Sequence, residues 1–89
     1  MPIISAFFGI VIRMFFYDNK QHHVPHIHAE YQNDVAIYSI QDGSLISGNL
    51  PPAKNKLVVA WIEIHREDLV AAWNLAVTGQ KIFPIKGLE

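Results

Sequence analysis

The sequence contains no cysteine, which removes disulfide frameworks, thiolate zinc ribbons, iron–sulfur clusters and cysteine nucleophiles together. Any bound metal must be held by nitrogen or oxygen. Charge is also scarce, with Asp, Glu, Lys and Arg making up 17% of the chain and a net charge of -1 at neutral pH. So few charges beside 51% hydrophobic residues exclude global disorder, and the missing positive excess disfavours nucleic acid as a partner. There is no long unbroken apolar run. The stretch from Ile3 to Phe16 is interrupted by Gly9 and Arg13 and is shorter than the about 20 residues that cross a bilayer. Its first cation, Arg13, lies inside it rather than before it, unlike a secretory signal. The expectation is a cytoplasmic protein without a membrane segment. With 89 residues there is room for one core, so residues 1–89 are read as a single domain.

What is present has a clear order. Ile10 to Tyr17 is rich in β-branched and aromatic residues and reads as a strand, extended by Phe7 and Phe8, with Gly9 at a bulge or close approach. After Pro25, the segment His26 to Tyr31 alternates, placing His26, His28 and Glu30 on one strand face and Ile27, Ala29 and Tyr31 on the other. Asn33-Asp34 signals a turn, Val35 to Ile40 a third strand, Asp42-Gly43 a hairpin, and Ser44 to Ser47 the returning strand. Between Ala53 and Thr78, Leu57, Trp61, Ile64, Leu69, Trp73 and Ala76 recur at helical spacing, with proline before and Gly79 after. One straight helix of that length would span ~39 Å at about 1.5 Å per residue, too long for so small a domain. A bend is expected at His65-Arg66-Glu67-Asp68, and Trp61 and Trp73 are expected in the core. Lys81 to Ile85 suggests a short edge strand. The predicted fold is α+β: an antiparallel meander of about four strands, covered on one face by one bent helix or two consecutive helices.

Four of the five histidines fall within seven positions, His22, His23, His26 and His28, flanked by Asp18 and Glu30. Imidazole is the commonest metal ligand, and residues i and i+2 of a strand lie ~7 Å apart on one face. His26 and His28 can therefore converge on a zinc-like divalent ion, with His22 or His23 as a third ligand across the bend at Pro25. A second reading needs no metal. His26 and His28 would act as general base and acid on a phosphodiester, since imidazole exists in both protonation states near neutral pH. Arg13 would stabilise the developing charge, and Lys54 and Lys56 could bind phosphate. Against both stands a structural role, with the histidines as polar partners on a sheet face and Arg13 paired to Glu30 or Asp34.

Met1-Pro2-Ile3-Ile4-Ser5, Phe7-Phe8-Gly9-Ile10, the segment His22-His23-Val24-Pro25-His26-Ile27-His28-Ala29-Glu30-Tyr31, and Trp61 to Leu69 with Trp73 resemble the small bacterial family catalogued as domain of unknown function four-one-six-zero. The signature His-x-x-Pro-His-x-His-Ala falls on His22 or His23, Pro25, His26 and His28. The resemblance implies no established reaction. It implies genomic company: such proteins are often encoded beside another small protein and are sometimes counted as toxin–antitoxin components. The leading reading is a toxin-like component of a two-protein bacterial module. Its site would be His22, His26 and His28 around a metal, or His26, His28 and Arg13 on a phosphate-containing substrate. The alternative is a non-enzymatic protein that docks a partner through a helix pair or an open sheet edge. A homo-oligomer is compatible with either.

Overall fold

Phe8 and Gly9 both adopt positive φ, 49° and 80°, the conformation that reverses a chain between two adjacent antiparallel strands. The apolar N-terminal run is therefore folded back on itself, as β1 (Ile3–Phe7) and β2 (Ile10–Arg13). Of the bulge or close approach expected at Gly9, the structure has the close approach, within a turn: an added Cβ would stand 3.2 Å from Tyr31 Cε1. The expected single strand from Phe7 onward is two. A continuous apolar run hides such a reversal, because both strands contribute core residues and no polar pair marks the tip. The structure is a computed structural model that describes residues 3–14 and 24–88. Positions 15–17 of the expected first strand lie outside the described residues.

The rest of the sheet follows the alternation. β3 (His26–Tyr31) turns through Gln32 and Asn33 into β4 (Asp34–Ser39), and a longer turn leads to β5 (Leu45–Gly48). At that turn Asp42 Oδ1 accepts the Ser44 N–H at 2.9 Å, and Gly43 supplies a φ of 73°. The five strands form one antiparallel sheet in sequence order. A fifth strand, short and N-terminal, is thus added to the expected four. No strand forms over residues 81–85, but the Ile85 N–H donates to Ile4 O at 2.7 Å. The expected C-terminal edge strand is a single backbone bond to β1.

Two helices follow, α1 (Pro52–Ile64) and α2 (Arg66–Val77), broken at His65 as the charged stretch indicated. Arg66 holds the junction to the sheet by donating from Nε to Ile40 O at 3.1 Å. At the end of α2, Gly79 takes a φ of 77°. Its N–H reaches Ala76 O at 3.1 Å while Gln80 N–H reaches Leu75 O at 2.9 Å, closing the last turn on its own carbonyls.

One face of the sheet carries Ile10, Ile12, Ile27, Ala29, Ala36 and Tyr38, which the strand register places together and which are buried. α1 lies on it. Trp61, fully buried, packs its ring 5.3 Å from that of Phe7 and donates from Nε1 to Lys86 O at 2.8 Å. Tyr38 donates its hydroxyl to Asn55 Oδ1 at 2.7 Å, pinning the start of α1 to β4. Burial pushes the Tyr38 pKa above its ordinary value. Trp73 is also buried, so both tryptophans are core residues as their spacing suggested. Each large apolar side chain so buried stabilises the fold by about 1.5–3 kcal/mol before its ordering entropy is subtracted.

Candidate functional site

The second face of the sheet carries the residues that the sequence singled out. Pairing between β2 and β3 sets Arg13 directly opposite His28 and Val11 opposite Glu30. Pairing between β3 and β4 sets His28 opposite Ile37 and His26 opposite Ser39. Alternation along β3 therefore brings His26, His28 and Glu30 to the face that also bears Arg13.

Among the described residues, three contacts hold the cluster together. Arg13 Nε donates to Glu30 Oε2 at 2.9 Å, a diagonal ion pair across β2 and β3 in which both side chains are partly exposed. The ring centres of His26 and His28 are 5.5 Å apart. His26 Nδ1 is hydrogen-bonded to Val24 O at 2.8 Å. Because a carbonyl can only accept, that bond places a proton on Nδ1 and leaves the lone pair of a neutral ring on Nε2. Such a carbonyl contact is the usual way a histidine is oriented for ligation or proton transfer.

His26 and His28 differ in exposure. His26 is completely buried, with its ring 5.1 Å from that of Trp73, whereas His28 is half-buried. The half-exposed sheet-face role considered for these histidines describes His28 and not His26. Among the described residues no group of three or more His, Asp and Glu side chains is placed to hold a metal. His22 and His23, the expected sources of a third ligand, lie outside the described residues, as does Asp18.

The remaining candidates have other places. Of the two acids considered for Arg13, Glu30 is the one it meets. Lys54 donates to Phe8 O at 2.9 Å and sits 4.7 Å over the Tyr31 ring, so it clamps the β1–β2 turn. Lys56 is exposed on α1. His65 packs against Trp61, ring centres 5.6 Å apart, and faces Asp68 at 3.7 Å. Sequence reasoning missed the role of Trp73 as the neighbour of His26. Its helical spacing showed only that it would be buried.

No helix among the described residues is long and apolar enough to cross a membrane. Neither the curated proteins nor the solved structures provide a match to this chain. A family model does match, over residues 9–74, a span that holds β2 to β5, both histidines of the cluster, Arg13, and α1 with most of α2. The chain belongs to the family described as Domain of unknown function (DUF4160).

Proposed function

We propose that the protein is the toxin-like component of a two-protein bacterial module and that its working site is the His26, His28 and Arg13 cluster. His26 and His28 ligate a zinc-like divalent ion, and Arg13 attracts a phosphate-containing substrate to the same face. The observation that carries this reading is the His26–His28 pair, one ring oriented by Val24 and the two centres 5.5 Å apart. Imidazoles bound at about 2.0–2.1 Å from zinc at a tetrahedral angle have ring centres about 5 Å apart, so the observed spacing suits convergence on one ion. His22 or His23, both before the bend at Pro25 in the sequence, would supply the third ligand. A bound ion would polarise a phosphoryl oxygen or lower the pKa of a bound water. Glu30 holds the guanidinium of Arg13 on the sheet face through Nε, and a guanidinium is the side chain best suited to a phosphate group.

The test is the metal content of untagged protein, since an affinity tag of histidines would itself bind metal. Near-stoichiometric metal lost in His28→Ala, together with growth arrest on uncontrolled expression that the same change relieves, is the expected result. Metal-free protein, or arrest that persists in His28→Ala, sinks the reading. A second reading, a non-enzymatic docking protein, draws on the contact of His26 with Trp73 and on the Arg13–Glu30 pair. Both give these side chains structural partners.

A further inference from the structure

Asp42-Gly43 is the only place in the sequence where glycine follows an aspartate or an asparagine. In such a pair the side-chain carboxyl and the next backbone nitrogen meet with least hindrance, because glycine has no Cβ to obstruct the approach. The fold treats the two residues differently. Asp42 is exposed, whereas Gly43 is buried, so close to α1 that an added Cβ would stand 3.8 Å from Val59 Cγ1 and 4.0 Å from Ile62 Cγ2. Both groups are also engaged. The Gly43 N–H donates to Ser39 O at 2.9 Å, and Asp42 Oδ1 accepts the Ser44 N–H at 2.9 Å.

We propose that Asp42 is a spontaneous modification site, converted to isoaspartate only when the turn between β4 and β5 opens. The Gly43 nitrogen attacks Asp42 Cγ, an N–C bond forms and a C–O bond breaks, and the carboxyl hydroxyl leaves with the amide proton as water. The five-membered succinimide so formed is hydrolysed at either carbonyl. Opening at Cγ restores aspartate, and opening at the backbone carbonyl gives isoaspartate. Water is the only co-reactant. The closed turn opposes each part of the ring closure. The attacking nitrogen must give up the proton that it donates to Ser39 O, and the carboxylate is committed to the Ser44 N–H. Hydrogen bonds, foremost that from the Ser44 backbone, also hold the Asp42 carboxyl below its ordinary pKa, whereas ring closure draws on the neutral acid. Opening the turn releases all three restraints together. Isoaspartate carries the main chain through Cβ and Cγ and so lengthens the turn, which breaks the match between Gly43 N–H and Ser39 O and between Ser39 N–H and Ser44 O. Ser39 is buried and pairs with His26, so a change at an exposed turn loosens the end of β4 that lies beside the histidine strand.

The untagged full chain is incubated at neutral pH in heavy-oxygen water, one sample in native buffer and one in guanidinium chloride. Isoaspartate at residue 42 is quantified by peptide mapping, and exchange of the Gly43 amide is followed in native buffer. The denatured chain is expected to convert freely and the native chain at least about tenfold more slowly, the slowing matching the protection of the Gly43 amide because both require the same opening. Asp42→Glu, whose ring would need six members, should form no isomer in either sample. Native conversion as fast as denatured, or a slowing unrelated to Gly43 protection, overturns the control by the turn. A denatured chain that forms no isoaspartate at residue 42 overturns the site itself.

Discussion

The imidazole of His26 lies against the indole of Trp73, ring centres 5.1 Å apart, joining the first residue of β3 to α2. Both side chains are buried, and the His26 ring is further held by Val24 O. A residue that the sequence marks for chemistry is thus also part of the packing, and substitutions there report on both.

His26→Ala should therefore lower stability by about 2–4 kcal/mol, combining lost ring contacts with a buried void and an abandoned carbonyl. His28→Ala, at a half-buried position, should cost no more than about 1 kcal/mol. Urea unfolding of the two variants side by side measures the difference. Equal losses would contradict the asymmetric burial. The same result decides which variant is fit for functional tests, since loss of activity in His26→Ala is confounded by loss of fold.

The Arg13–Glu30 pair spans two strands at 2.9 Å with both side chains partly exposed. Solvent screens such a pair, so a double-mutant cycle of Arg13→Ala and Glu30→Ala should return a coupling of about 0.2–1 kcal/mol that shrinks as salt is raised. A coupling well above that range would mean that the pair is shielded from water. If Arg13 instead serves a phosphate ligand, Arg13→Ala should weaken that binding far more than it weakens the fold.

Much of this architecture was legible in the sequence, and the failures have physical causes. Alternation from His26 to Tyr31 gave β3 with both of its faces, because period two maps directly onto a pleated strand. The interruption at His65 was legible from length and charge. The Phe8–Gly9 reversal was not, because Phe8 is an unusual residue at a φ of 49° and the apolar run continues through it. The Arg13–Glu30 contact could be named as one of two pairings but not chosen, since register between strands depends on turns that the pattern leaves open. The burial of His26 was invisible for a further reason. Trp73, which lies against its ring, is 47 positions along the chain and on another element, and no local pattern encodes that meeting.

Tyr38 gives the fold an alkaline limit. Its hydroxyl donates to Asn55 Oδ1 at 2.7 Å, and burial raises its pKa. Below the unfolded value of about 10 the phenol is neutral in both states and the contribution is fully present. As pH rises through that value the unfolded chain loses its proton while the folded one keeps it, so stability falls until the folded pKa is passed. Wild type should thus lose more stability than Tyr38→Phe between about pH 9 and 11. At pH 7 the variant should be weaker by about 0.5–1.5 kcal/mol from the lost hydrogen bond. Parallel curves for the two proteins would show that Tyr38 ionises as freely folded as unfolded.

Two glycines with nearly the same backbone angle should respond differently to the same change. Gly48, at the end of β5, has a φ of 74°, and an added Cβ would stand 2.1 Å from Val35 O and 3.1 Å from Ala36 Cα. These are backbone atoms of the paired strand β4 and cannot swing aside as a side chain can. Gly79, just past α2, has a φ of 77° with nothing within 4 Å of the added carbon. Gly79→Ala should cost only the left-handed backbone penalty of about 1–2 kcal/mol. Gly48→Ala adds a collision to that penalty, and relief requires β5 to move off β4. It should cost at least about 2 kcal/mol more than Gly79→Ala in denaturant unfolding. It should also speed exchange of the residue 45–48 amides selectively, while those of β1 to β3 keep their protection. If the two variants proved equally stable, β5 would be free to shift on β4 and the collision at Gly48 would be relieved without cost.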